Sequence, residues 1–180
     1  AQQKEGVVEK ATELTNNLSK EFRTELDARD NYTPGYKFNY WEMKGVPVRL
    51  EIGPRDIENN QCVLVRRDTL EKETVSLENI NKRIAELLEE IQKNMFKMAE
   101  ENTKKKTTVA KTLGEFEKNI NENQGYVKTM WCGSSECEEK IHELTGAKSR
   151  CIPFNQEHIS DTCVCCGKPA SKMVVWGRQY

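Results

Sequence analysis

Apolar residues recur along this chain with two periods, one typical of helices and one typical of strands. Residues 3–19 predict an amphipathic helix, because their apolar positions recur at helical spacing. These positions are Val7, Ala11, Leu14 and Leu18. Segment 21–28 favours a short strand. After a stretch of turn residues, a second, short helix is predicted to end at Gly45, since glycine is typical of helix C-termini.

Three strands are predicted beyond that helix. Residues 46–53 alternate apolar and charged positions, which indicates a strand with one buried face. Residues 62–67 are almost continuously apolar, as in a more fully buried strand. A turn cluster at 54–60 separates these two segments, and residues 73–77 provide the third strand.

The longest predicted helix covers residues 77–101, and its apolar stripe predicts a side that faces the core. The stripe consists of Ile80, Ile84, Leu87, Leu88, Ile91, Met95 and Met98. A lysine-rich break at 101–111 is interpreted as a solvated surface. A shorter helix around 113–120 and a strand at 125–131 follow, so a domain boundary is expected near the break.

Composition narrows the class of protein. The 180 residues are 36% hydrophobic and 32% charged, enough for a core and a well-solvated surface. No apolar run is long enough to cross a membrane, and residues 1–10 lack the apolar region of a secretory signal. We therefore expect a cytoplasmic protein with no membrane partner. The net charge of -1 does not favour nucleic-acid binding, although a small site needs only local positive charge.

Seven cysteines are too many to ignore, and in a cytoplasmic chain they favour metal binding over disulfides. Two short pairs, Cys132-x4-Cys137 and Cys163-x2-Cys166, have the spacing of a closed, structural zinc site. Cys165 is an alternative to Cys166, because a Cys-x-Cys pair is also present. The remaining cysteines, Cys62 and Cys151, are expected to be small buried side chains. His142 and His158 are expected at the surface.

Catalytic signatures are missing from these residues. The sequence contains no P-loop, no Ser-His-Asp arrangement and no H-E-x-x-H motif. Two histidines leave little room for general-base catalysis. We therefore expect the 180 residues to be inactive on their own.

Several long motifs resemble one known family. The segments "PGYKFNYWEMKGVPVRLEIGPRDIE" and "VLVRRDT" resemble the anticodon-binding domain of prolyl-tRNA synthetases of the eukaryotic and archaeal type. The later segments "WCGSSECEE", "GAKSRCIPF", "CCGKPA" and "WGRQY" are similar to the C-terminal zinc-binding domain of that family. The resemblance reaches the last residue and covers nearly the whole chain.

The resemblance implies an α/β (α+β) fold in two domains. Residues 1–104 correspond to an anticodon-binding domain, a mixed sheet flanked by helices whose first strand is missing here. Residues 105–180 correspond to a small α+β zinc-binding domain. The implied function is recognition of tRNA(Pro) for a class II proline–tRNA ligase. Its ATP and magnesium would belong to a catalytic domain that is absent from this chain.

The resemblance also implies site residues. In that family the residues that match Glu42, Arg49 and Lys72 contact the two guanines shared by proline anticodons, and Phe38 can stack on a base. The ordinary alternatives are a surface pair of Arg49 with Glu51 on a neighbouring strand, a core position for Phe38 and a turn position for Lys72. Tyr180 matches a tail that reaches toward the catalytic domain, with a simple packed tail as the alternative.

The implied partners are tRNA(Pro), the catalytic domain of the same synthetase and a second copy of the enzyme in a homodimer. Two other hypotheses remain open. The chain could be a free-standing, zinc-stabilised module that docks proteins. It could also be the C-terminal end of a fused, bifunctional synthetase in a multi-synthetase complex.

Overall fold

The computed structural model describes residues 2–179, with side chains from residue 6 onward. The chain consists of helices and short strands and forms two compact units, residues 1–97 and 98–180. The division falls within the longest helix. Each unit has its own sheet and its own hydrophobic core, which confirms the α+β class. The predicted boundary after residue 104 stays a prediction. No helix among the described residues is long and apolar enough to cross a membrane.

In the first unit, helices pack on an antiparallel sheet with the strand order β1-β2-β3. The core lies between this sheet and the long helix α4, and includes Leu64, Ile84 and Leu87. The elements are α1 (Gln2–Leu18), α2 (Pro34–Met43), β1 (Val48–Glu51), α3 (Pro54–Glu58), β2 (Gln61–Arg66), β3 (Lys72–Ser76), a single 3-10 turn (Leu77–Asn79) and α4 (Ile80–Lys105).

The strand predicted at 21–28 is wrong. The side chains there alternate between exposed and half-buried, with Phe22, Thr24 and Leu26 turned inward. The described residues of this segment belong to no strand, however, because no neighbouring strand pairs with them. The turn predicted at 54–60 also differs, since the short helix α3 occupies most of it.

The apolar stripe of α4 is core only as far as Ile91. Met95 and Met98 were predicted to be core, but they are 51% and 57% exposed. A helix of 26 residues is about 39 Å long at 1.5 Å per residue, whereas a five-residue strand spans about 17 Å. The helix therefore extends beyond the sheet that covers its first half.

The second unit packs two helices on a mixed sheet with the order β4-β5-β7-β6, in which β4 runs parallel to β5. Trp176 is fully buried at its centre and donates Nε1–H to the buried Oγ1 of Thr129 at 2.9 Å. The elements are β4 (Thr107–Val109), α5 (Leu113–Glu122), β5 (Tyr126–Trp131), α6 (Ser135–Thr145), β6 (Ala147–Cys151) and β7 (Lys172–Arg178).

The two cysteines predicted to be small buried side chains differ in their exposure to solvent. Cys62 is fully buried in β2, as expected, and burial raises the pKa of its thiol to about 11. Cys151 is exposed, so the prediction for it is wrong. It lies at the end of β6, the outermost strand of its sheet, just after a register irregularity at Ser149. A strand at the edge of a sheet leaves its last residues uncovered.

Candidate nucleic-acid interface and metal site

Arg49 and Lys72 lie in one row across the first sheet. The strand register places Arg49 opposite Val65, and Val65 opposite Lys72. Side chains in such a row leave the sheet on the same face. Leu50 and Val75 leave on the other face, where they pack against the hydrophobic core. The row therefore occupies the face turned away from the core.

Helix α2 brings Phe38 and Glu42 to this same row. The two residues are four apart in the helix and so lie on one side of it. The Arg49 guanidinium lies 3.9 Å from the centroid of the Phe38 ring, and Arg49 Nη1 donates to Glu42 Oε1 at 2.7 Å. Phe38, Glu42 and Arg49 line one pocket together with Val65 and Arg67. An aromatic ring, an acceptor and a donor thus converge.

Glu51 connects the fourth predicted residue to this group. Arg49 Nε donates to Glu51 Oε1 at 2.9 Å, and Lys72 Nζ lies 3.3 Å from Glu51 Oε2. The sequence predicts Glu51 only as a surface partner of Arg49 on a neighbouring strand. The pair exists, but both residues belong to β1. The alternation of charged positions along this strand was the available signal for a shared face.

The ion pairs at this site are half-buried, so that a ligand can replace one partner of a pair. The side chains of Arg49 and Glu42 are 20% and 34% exposed. Ion pairs near the surface contribute only about 0–1 kcal/mol, because water competes for both partners. A ligand with its own donors and acceptors can therefore replace them at little cost. The edge of a purine base offers such groups, and the Phe38 ring offers a surface for stacking.

A second set of contacts fixes the position of α2. Asp27 accepts hydrogen bonds from Arg29 Nε at 2.8 Å, from Arg29 Nη2 at 2.7 Å and from Trp41 Nε1 at 2.8 Å. The Arg29 guanidinium holds the pKa of the Asp27 carboxyl well below its usual range. None of the ten residues of α2 is fully buried. The helix is therefore positioned largely by these polar contacts and by half-buried side chains.

Four cysteines converge in the second unit. The sulfurs of Cys132, Cys137, Cys163 and Cys166 all lie within 4.8 Å of one another. Cys132 Sγ is 3.7 Å from Cys137 Sγ and 3.8 Å from Cys166 Sγ. A zinc ion bound by four thiolates at about 2.3 Å needs sulfurs about 3.8 Å apart. The donor set and its spacing therefore fit a tetrahedral metal site. Cys165, the alternative, packs against the hydrophobic core and also contacts Cys137, but it is not one of the four sulfurs that lie together.

Both halves of the cluster use the same local backbone geometry. Gly133 follows Cys132 with φ 89°, and Gly167 follows Cys166 with φ 72°. Side chains other than glycine rarely adopt this left-handed region. In each half, the backbone N–H two residues after the cysteine, of Ser134 or Lys168, donates to the cysteine sulfur. The two turns thus direct amide hydrogens at the sulfurs, which stabilises thiolates.

The thiols of the cluster differ in pKa. The backbone N–H of Lys168 lowers the pKa of Cys166 to about 7, whereas burial raises the pKa of the Cys137 thiol. Burial alone favours a neutral thiol, but a bound cation deprotonates the thiols that coordinate it. Ser134 is at the N-cap position of α6, although its side chain makes no capping hydrogen bond.

The remaining candidates lie elsewhere. His142 and His158 are exposed, as expected. Tyr180, which was considered as a tail toward a catalytic domain, lies outside the described residues.

Comparisons with known proteins match two parts of the chain to family models. Residues 1–87 match the family model "Anticodon binding domain", and residues 113–180 match the model "Prolyl-tRNA synthetase, C-terminal". Proline--tRNA ligases from Ruminiclostridium cellulolyticum and Clostridium botulinum are 53% and 54% identical to the chain over 180 residues. A "Proline--tRNA ligase 2" from Bacillus thuringiensis is 52% identical over the same length. All of this chain is aligned in each case.

The fold and the two matches define an anticodon-binding domain followed by a C-terminal domain with a four-cysteine cluster. The chain belongs to the prolyl-tRNA synthetase family, and it spans 37–38% of the length of these relatives. These relatives come from bacteria, so the eukaryotic and archaeal type suggested by the motifs stays a prediction.

Proposed function

We propose that this chain is the tRNA-recognition part of a proline–tRNA ligase and reads the two guanines of the proline anticodon. The observation that carries the proposal is the convergence of Phe38, Glu42 and Arg49 on one sheet face, with Lys72 joined through Glu51. The family match supports it, because residues 1–87 match an anticodon-binding domain.

Each side chain has a chemical role in this proposal. The Glu42 carboxylate accepts from the N1–H and N2–H groups of guanine. Arg49 and Lys72 donate to O6 and N7, which accept hydrogen bonds in guanine. Phe38 stacks on an unpaired base, while the Arg49 guanidinium packs on the ring. Adenine lacks O6 and carries a donor there, so the same site disfavours adenine.

We propose further that the four-cysteine cluster holds one structural Zn²⁺. Four sulfur ligands leave no coordination position for a substrate, so the ion would stabilise the fold of the second unit. Activation of proline with ATP and magnesium would belong to the rest of a full-length enzyme, in the cytoplasm. A homodimer, a fused synthetase and a multi-synthetase complex are compatible with the same site and stay predictions. No feature of the site favours a free-standing docking module.

The test is a titration of the chain with a proline anticodon stem-loop and with a control whose two guanines are adenines. Both titrations are made at two salt concentrations, because contacts to phosphate weaken with salt. We expect a preference for guanine that persists at the higher salt. Glu42→Gln and Arg49→Ala should each reduce that preference by about ten-fold, which is within the usual range for one lost bidentate contact.

Two matched substitutions act as controls. Glu89→Gln and Arg55→Ala change the same residue types at exposed positions of α4 and α3. They should retain the preference for guanine. Equal binding of both stem-loops by the unmodified chain, or an unchanged preference in Glu42→Gln, would contradict the proposal.

A further inference from the structure

A stack of aromatic rings and one guanidinium group lies on the side of α2 opposite the proposed guanine site and has no role in that site. The Tyr36 and Tyr32 rings are parallel, with centroids 4.4 Å apart and an interplanar angle of 12°. The Arg29 guanidinium lies 4.9 Å from the Tyr32 ring and 4.8 Å from the Tyr40 ring. We call Tyr36, Tyr32, Arg29 and Tyr40 the aromatic ladder.

Asp27 fixes one end of the aromatic ladder, and the ring of Tyr36 at the other end is exposed to solvent. Arg29 is fixed by its two hydrogen bonds to Asp27, which also binds Trp41 of α2. At the other end, Tyr36 is 49% exposed although it already stacks on Tyr32. Exposed, ordered aromatic rings of this kind are the surfaces on which proteins stack unpaired bases.

The ladder and the guanine site are connected over the surface of α2. At about 100° per residue, Tyr36 and Phe38 are about 200° apart around the helix. The shorter exposed path between them passes Asn39 and Met43, and Met43 is 87% exposed. Around a helix about 10 Å in diameter this path is about 14 Å long, which corresponds to about four stacked bases at about 3.4 Å each.

We infer that Tyr36, supported by Tyr32, stacks on an unpaired anticodon-loop base within about four nucleotides of the two guanines. The inference rests on the proposed function, because the RNA must first bind at Phe38, Glu42 and Arg49. An RNA ligand is favoured over a protein partner because the ladder ends in an exposed flat ring and lies only about 14 Å over the surface of α2 from the guanine site. Stacking of this kind does not depend on the identity of the base.

The experiment uses proline anticodon stem-loops with 2-aminopurine at each loop position outside the two guanines, since its fluorescence falls when it stacks. With the unmodified chain, we expect strong quenching at one position. Tyr36→Ala should abolish that quenching and raise the Kd by about ten-fold. Tyr36→Phe keeps the ring and should stay within about two-fold of the unmodified chain. An abasic nucleotide at the quenched position should remove the difference between the unmodified chain and Tyr36→Ala.

The control variant is Tyr126→Ala, which removes a tyrosine of similar exposure, 44%, in the second unit. Its Kd and quenching should match those of the unmodified chain. Equal Kd values and equal quenching for Tyr36→Ala and the unmodified chain would overturn the inference. The proposed function would still stand in that case if Glu42→Gln loses its preference for guanine. Loss of RNA binding by the unmodified, folded chain would overturn both.

Discussion

The two units hold their polar groups together in different ways. In the first unit, charged side chains satisfy one another, as in the group of Arg49, Glu42 and Glu51 and in the pair of Arg29 with Asp27. In the second unit, four cysteine sulfurs face one another. Thiols are weak hydrogen-bond partners, so they need a cation to become mutually stabilising. The first unit should therefore fold on its own contacts, whereas the second should depend on a metal.

Metal removal should give the largest effect and should affect only the second unit. Structural zinc supplies on the order of 10 kcal/mol of folding free energy in small metal domains. We expect a strong chelator, or Cys137→Ser, to abolish amide-exchange protection in residues 126–178 while residues 2–97 remain protected. Hydrogen exchange with mass spectrometry measures this, and metal analysis should give one zinc ion per chain.

The matched control for that prediction is Cys151→Ser, because Cys151 is an exposed cysteine outside the cluster. This variant should keep both its zinc ion and its protection. Full protection of the second unit after zinc has been removed would show that the cluster is not needed for folding.

A core substitution should produce the opposite pattern. Leu64 is fully buried between the first sheet and α4, so Leu64→Ala should lower the free energy of unfolding of the first unit by about 2–5 kcal/mol. Its neighbour Val63 is only half-buried and lies on the other face of β2. Val63→Ala should therefore cost clearly less. Denaturant titration monitored by hydrogen exchange measures the unfolding of each unit separately. An equal loss of unfolding free energy in the two variants would contradict the assignment of the core face.

Acid should weaken the first unit through its paired carboxylates. The Arg66 guanidinium lowers the pKa of Asp68 to about 2, and Arg29 lowers the pKa of Asp27 further. An unfolded Asp has a pKa of about 3.9, so the stabilisation is complete above pH about 4 and is lost as the pH falls toward 2. Asp68→Asn should flatten this pH dependence, whereas Glu89→Gln should leave it unchanged. An equally steep acid transition in Asp68→Asn would exclude the pair as its source.

The smallest effect on stability is expected at Glu51. Glu51→Gln removes the bridge between Arg49 and Lys72, and ion pairs of this exposure contribute about 0–1 kcal/mol to folding. The preference for guanine should nevertheless fall, because both cationic side chains lose the group that positions them. Thermal unfolding and the stem-loop titration measure the two effects separately. If Glu51→Gln keeps the full preference for guanine, Glu51 does not position the side chains of Arg49 and Lys72.

Local sequence patterns predicted most of the helices and strands. They did not always predict what packs against each of them. The helical spacing before Leu18 and the apolar run of β2 correspond to real elements, because both contain residues that pack in the core of the first unit. The local pattern was misleading at 21–28, where no strand forms, and at Met95, which is exposed. A period shows which side of a segment is apolar. Whether a strand or a core lies against that side depends on residues distant in the sequence.

The sequence by itself determined the class of the chain and the two groups of site residues, since long motifs and cysteine spacing are local properties. Only the tertiary structure decided that Glu51 joins Arg49 to Lys72 and that Cys166 meets the other three sulfurs of the cluster. It also decided that the aromatic ladder ends in the exposed ring of Tyr36. These contacts join residues from different strands, helices and loops. Their distances are set by strand register and by helix packing, which no spacing along the chain specifies.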